Sequence, residues 1–219
     1  MAVSRIALIT GIIIVLVLVA GAIFYLQQRP APTTTPTPTP TPVTPYTMKI
    51  FTGGTGGVYY PLGVKLADML SKYSGGRITA TASTSGASVA NVRALQAGDA
   101  NLIFVQNDIA YYAFKGIYMF EGSKVGIIRG VAVLYPEIIQ IVVRADSGIK
   151  SLRDLEGKIV AVGAPGSGTA VEAELILKAA GLWDKIKAEY LDFRTAAEAL
   201  KLGQVHAAFI VAGIPTAAV

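Results

Sequence analysis

Two glycine-rich runs carry the residues best suited to hold a small solute: Thr52-Gly53-Gly54-Thr55-Gly56-Gly57 and Gly163-Ala164-Pro165-Gly166-Ser167-Gly168-Thr169. Each stands between a short β-like run and an amphipathic helix, in separate halves of the chain. A helix start presents N–H groups without intrahelical acceptors and carries partial positive charge, and glycine lets backbone approach a guest closely. The chemistry on offer is non-covalent capture of an anion or carboxylate from two sides. Neither run fits a nucleotide fingerprint. The first has Tyr59 where the third glycine of a dinucleotide motif would stand, and the second lacks the Lys before Thr169 that a phosphate loop requires.

Other polar groups gather near these runs. Tyr59 and Tyr60 follow the first; a phenol there can stack on a ligand or donate a hydrogen bond, and one of the two is expected to face it. Ser85, Gly86, Ser88 and Asn91 surround a second helix start, where hydroxyl and amide groups either orient a carboxylate or simply cap the helix. Gln106 and Asp108 follow a buried strand, the carboxyl end at which open α/β sheets place ligands, although Asp108 also suits an N-cap. Arg93, Arg129 and Arg144 are possible carboxylate forks, with solvated or pairing roles as the alternative. The single histidine, His206, reads as a surface residue at a strand entry. No nucleophile elbow, metal-ligand spacing or clustered carboxylate pair is present. The sequence therefore points to binding without a reaction, cofactor or metal.

The elements that position these groups alternate strand and helix. Strands are expected at Lys49–Thr52, Arg77–Ser83, Leu102–Val105, Val131–Tyr135, Ile138–Arg144, Lys158–Val162 and Ala207–Val211. In the helix after the first loop, Leu62, Leu66, Met69, Leu70 and Tyr73 form one apolar face, closed by Gly75-Gly76. Ser85-Gly86-Ala87-Ser88 offers cap hydroxyls to a helix ended by Gly98. Ser151 with Asp154, and Thr195 with Glu198, have capping-box spacing. Ala94, Leu95, Gly98, Phe104 and Val105 recur as Ala199, Leu200, Gly203, Phe209 and Ile210, each displaced by 105 positions, and Asn101 recurs as His206. The pattern predicts α/β units with mainly parallel sheets and a cleft between facing loops.

The remainder of the chain lies ahead of these units. Ile6 to Leu26 is uncharged over 21 residues. That matches the roughly 20 apolar residues that span a bilayer and exceeds the roughly 7–15 of a signal-peptide core. Residues 1–29 are accordingly expected to be an N-terminal membrane anchor; Ala20-Gly21-Ala22 resembles a cleavage site, the alternative being a removed signal. Residues 30–47 are a Thr/Pro-rich linker with polyproline II character. The chain has no cysteine, which excludes disulfides and a lipid-bearing cysteine. Beyond Pro30, 17 basic and 14 acidic residues are scattered, without the basic stripe of a nucleic-acid footprint.

The blocks Gly54-Thr55-Gly56-Gly57-Val58-Tyr59-Tyr60-Pro61-Leu62-Gly63, Val105-Gln106-Asn107-Asp108, Leu134-Tyr135-Pro136-Glu137, Val143-Arg144-Ala145-Asp146-Ser147-Gly148-Ile149 and Val162 to Thr169, in this order, resemble the TAXI family, the solute receptors of TRAP transporters. The likeness runs from Met48 to the end. It implies a type II periplasmic-binding-protein fold with ligand-binding lobes at 48–141 and 142–219 closing over a small anionic solute such as glutamate, another amino acid or a carboxylate. It also implies docking on TRAP membrane subunits. The ligand set so implied is Gly56, Gly57, Tyr59, Ser85, Gly86, Ser88, Asn91, Gln106, Gly166, Ser167, Gly168 and Thr169. Members of this family continue beyond the segment matching Ile210–Val219, so the expectation is a truncated or split product whose second lobe is incomplete and exposes apolar surface. A membrane-tethered sensory domain and the binding protein of an ABC-type importer are the alternatives.

Overall fold

The computed structural model describes residues 2–28 and 44–219. They form two compact units. The first contains helix α1 (Ala2–Gln27), whose 26 residues have no acidic first turn and no basic last turn. Of the expected anchor, residues 1 and 29 and the side chains of residues 2–9, 12 and 14 lie outside the described set, as does most of the expected Thr/Pro linker. Among the described residues no helix is long and apolar enough to cross a membrane.

The second unit holds two sheets. In the first, β1 (Tyr46–Phe51) lies between β2 (Ile78–Ser83) and β3 (Leu102–Ile103), all parallel. In the second, β4 (Ile138–Val143), β7 (Ala207–Ala212), β5 (Ile159–Ala161) and β6 (Lys187–Glu189) stand in that order. Here β5 runs parallel to both its neighbours and β4 antiparallel to β7, so the expectation of mainly parallel sheets holds with one exception. Pairing with β7 puts β4 in the second sheet, which therefore begins at Ile138, ahead of the residue-142 boundary expected. Similarly β1 begins at Tyr46, inside the expected linker.

Alternation along the strands explains the layers. Val160 and Val162 of the β5 segment, with Ala207 and Phe209 of β7, pack with Ala173 and Leu177 of α5 (Gly168–Ala179). The intervening Ala161 and Ala208 face Ala196, Ala199 and Leu200 of α6 (Phe193–Lys201). Both faces are thus covered, which is why β7 is buried throughout. Full burial of a side chain such as Phe209 is worth about 2–3 kcal/mol. In the first sheet, Ile50 and Phe104 pack with Ala67 of α2 (Tyr59–Tyr73). Val89 and Val92 of α3 (Ser88–Ala97) meet Ile109 and Ala113 of α4 (Asn107–Lys115).

Three local expectations are corrected. Helix α2 buries Gly63 and Ala67; of the expected face Leu66 and Leu70 pack on the core, while Leu62, Met69 and Tyr73 are exposed. The helix is rotated from the expected face because Gly63 sits against strand β1; a methyl group there would collide with Thr52 Cγ2. Val131–Tyr135 joins no strand ladder, and Val133 is 99% exposed. Other exposed apolar groups are Leu134 in the same stretch, Ile127 ahead of it and Ile138 and Ile139 of β4. Helix α6 starts earlier than the Thr195–Glu198 box suggests, because Asp192 caps it: Oδ1 accepts from Arg194 N and Thr195 N at 2.9 and 3.2 Å. The Ser151–Asp154 box does form.

Candidate functional site

Both glycine runs leave the carboxyl ends of central strands. β1 lies between β2 and β3, and β5 between β6 and β7, so the chain leaves each to one side and returns on the other; the loops after them sit at topological switch points, where open α/β sheets hold ligands. The two loops meet at one cavity. From the first sheet come Gly53, Gly54, Gly57, Val58, Tyr59, Ser85, Gly86, Ser88 and Gln106; from the second come Ser167, Gly168, Thr169, Asp192 and Phe193, with Glu137 at the connection. The space open to water-sized molecules is about 50 Å³.

Two helix ends open here. Ser167 caps α5, its hydroxyl accepting from Ala170 N at 3.1 Å, while the Gly168 and Thr169 N–H groups meet no acceptor among the described residues. Thr169 is 3% exposed. At α2, the N–H groups of Val58 and Tyr59 are likewise left without a described acceptor.

The third helix end is closed. The N-cap of α3 is Ala87, without a side-chain cap, and the Gly166 carbonyl from the other sheet accepts from Val89 N and Ala90 N at 2.9 and 3.0 Å. Gly166, expected among the ligand contacts, is therefore a strut between the two halves and does not line the cavity. Two further expected residues lie off it. Asn91 is fully buried, donating to Thr52 O at 2.6 Å and Phe104 O at 2.8 Å, while its Oδ1 accepts from Ser85 Oγ. Its hydrogen-bonding capacity is spent on strand ends. Gly56 turns its carbonyl to Thr216 Oγ1 at 3.2 Å and packs on the start of α6, where an added methyl would come within 3.0 Å of Arg194 N. The other nine expected residues line the cavity; Tyr60 does not.

Gln106 lines it as a bridge. Its Nε2 donates to Glu172 Oε2 of α5 at 2.9 Å, and its side chain lies over Gly168, where any Cβ would collide with it. The three arginines stay away. Arg144 pairs with Asp146 at 2.6 Å, and Arg129 donates to Gly126 O and Ile128 O. His206 has a structural task, its Nδ1 accepting from Ile159 N at 3.1 Å.

The residues missed by the sequence reading are Glu137, Asp192 and Phe193. Tyr59 Oη donates to Glu137 Oε2 at 2.9 Å. Burial pushes the Glu137 carboxyl up to about 7, with the Tyr59 hydrogen bond opposing and the charge of Asp108 adding. Burial, and then the charge of Glu137, raises the Tyr59 phenol well above its ordinary range. Glu172 is also pushed up to about 7 by burial and by Asp108, against its bond from Gln106. Tyr135 Oη is buried without a hydrogen-bond partner. A carboxylate flanked by apolar residues, as in Leu134-Tyr135-Pro136-Glu137-Ile138-Ile139, was the available signal.

Two switch-point loops bordering a shared cavity belong to a two-sheet α/β fold, and solved structures of the periplasmic-binding-protein type share it. The alkanesulfonate-binding protein SsuA from Xanthomonas axonopodis pv. citri, bound to MOPS, is 21% identical with a TM-score of 0.52; the match covers 78% of this chain and 56% of that one. A putative L-cystine ABC transporter from Listeria monocytogenes is 18% identical with a TM-score of 0.54, covering 75% and 69%. An ancestral arginine-binding protein bound to arginine is 23% identical with a TM-score of 0.50, covering 75% and 70%. The chain thus spans little more than half the length of the sulfonate-binding protein. Over residues 50–219 it matches the NMT1-like family, and it belongs to that family.

Proposed function

We propose that this protein is an extracytoplasmic receptor that binds a small organic acid non-covalently between its two sheets and delivers it to a membrane transporter. The observation that carries this reading is the convergence of the α2 and α5 N-termini, with unpaired N–H groups, on one cavity. Those groups suit a carboxylate or sulfonate. Closure is the mechanism: Gly166 with α3, Gln106 with Glu172 and Thr216 with Gly56 join the halves, so a solute touching both favours the closed state by its differential affinity.

The blocks resembling TAXI receptors favour a TRAP permease as partner, while the Listeria neighbour favours an ABC-type importer. The uncharged stretch Ile6–Leu26 supports a tether through α1. The test is calorimetry on the full chain in mild detergent with amino acids, dicarboxylates and alkanesulfonates; absence of heat with all of them overturns the reading. Retention of the chain in membranes after alkaline extraction tests the tether. Uptake driven by an ion gradient or by ATP distinguishes the two transporters.

A further inference from the structure

The cavity's side chains include two carboxylates, Glu137 and Asp192, and no lysine or arginine. A site made only for an anion would not surround it with acids. The two carboxylates differ in what they already hold. Both oxygens of Asp192 are engaged by its own helix: Oδ1 by the Arg194 and Thr195 amides, and Oδ2 by Thr195 Oγ1 at 2.8 Å. Glu137 accepts from Tyr59 Oη, has the neutral Tyr135 hydroxyl beside it, and forms no ion pair among the described residues. It is partly removed from water and has no counter-charge.

Resting on the receptor reading, we infer that Glu137 sets the solute's specificity by accepting a cationic nitrogen, so that the cleft takes a zwitterion: its acid group on the amides of Gly168 and Thr169, its ammonium on Glu137. The division of charge follows the surfaces present. Positive potential belongs to the helix ends and negative potential to the connection after the first sheet. An ammonium there supplies the missing partner to a desolvated carboxylate, whereas a hydroxyl or keto group leaves it unpaired. Tyr59, bonded to Glu137 and tilted against Phe104 with ring centroids 5.3 Å apart, fixes the carboxylate's position.

The test uses matched pairs that differ only in that nitrogen: L-glutamate against 2-oxoglutarate, L-alanine against L-lactate, and taurine against isethionate, titrated into the full chain at pH 8. The expected result is that the nitrogen-bearing member of at least one pair binds, its counterpart at least about tenfold more weakly. Glu137→Gln should remove most of that preference. Because Glu137→Gln is isosteric, circular dichroism checks its fold, and the wild-type pairs decide the matter if it does not fold. Equal affinity within the pairs that bind, or a preference unchanged in a folded Glu137→Gln, overturns the zwitterion inference and leaves the receptor standing. No binding by either member of any pair overturns both.

Discussion

Helices α3 and α6 are the same element in two settings, and their first residues, Ser88 and Phe193, stand 105 positions apart. Each ends on a left-handed glycine, Gly98 at φ 82° and Gly203 at φ 70°, and leads into a strand beside the central one. Even the strand entry is repeated. Asn101 exchanges hydrogen bonds with Lys49, its Oδ1 accepting from Lys49 N and its N–H donating to Lys49 O; His206 does the same with Ile159 through Nδ1 and N–H. The copies diverge at their N-termini. α6 is capped by its own Asp192, whereas the equivalent residue of α3 is Ala87, whose φ of 67° and ψ of −147° offer no side-chain cap. α3 borrows the Gly166 carbonyl from the other half. One helix end is complete by itself, and the other is complete only when the halves are together.

The largest expected effect comes from Asn91, whose equivalent in the second half is the buried Ala196. Asn91→Ala leaves the Thr52 and Phe104 carbonyls without their donor and should cost about 3 kcal/mol. Ala196→Asn should cost about as much, because a buried amide gains no partners. Urea unfolding measures both, and a neutral Asn91→Ala would break the contrast between a polar clamp in one half and plain packing in the other. Gly63→Ala, which crowds Thr52, should destabilise by about 2 kcal/mol despite alanine's helix preference.

Smaller effects sharpen the comparison. Ala87→Gly should stabilise the protein by about 1 kcal/mol, since this backbone conformation is strained for any residue with a Cβ. If Asn101 and His206 are equivalents, Asn101→Ala and His206→Ala should each cost about 1 kcal/mol, and unequal costs would argue against equivalence. The pH dependence has a definite sign. Glu137 and Glu172 ionise near 7 when folded and near 4.5 when unfolded. Between those values the folded state binds more protons, so stability falls as pH rises through this window. The melting temperature should be higher at about pH 5.5 than at about pH 8, and the difference should shrink in the double variant Glu137→Gln, Glu172→Gln.

Much of this was legible because it is written locally. Most of the strand and helix order, with β6 the strand that was missed, the glycine stops, the Ser151–Asp154 box and the 105-residue repeat each depend on neighbours in the chain. The missed features depend on distant partners. No local signal announces that a carbonyl from Gly166 will cap α3, or that Thr52 will press on Gly63 and rotate the buried face of α2. Val131 and Val133 have the β-branched alternation of a strand, but a ladder also needs a partner, and none pairs with them among the described residues. Glu137 is a single acid in a connecting segment, so periodicity is silent about it. Its significance arises only when Tyr59 and the second glycine loop are brought beside it. Both glycine loops were found because their physics, helix ends beside flexible backbone, is local.

The most direct test of a shared cavity is amide NMR of the full chain during titration with each of the six probes. One solute should shift the Val58 and Tyr59 amides and the Gly168 and Thr169 amides together, with a single dissociation constant. Shifts confined to one loop, or different constants at the two, would contradict a site built from both.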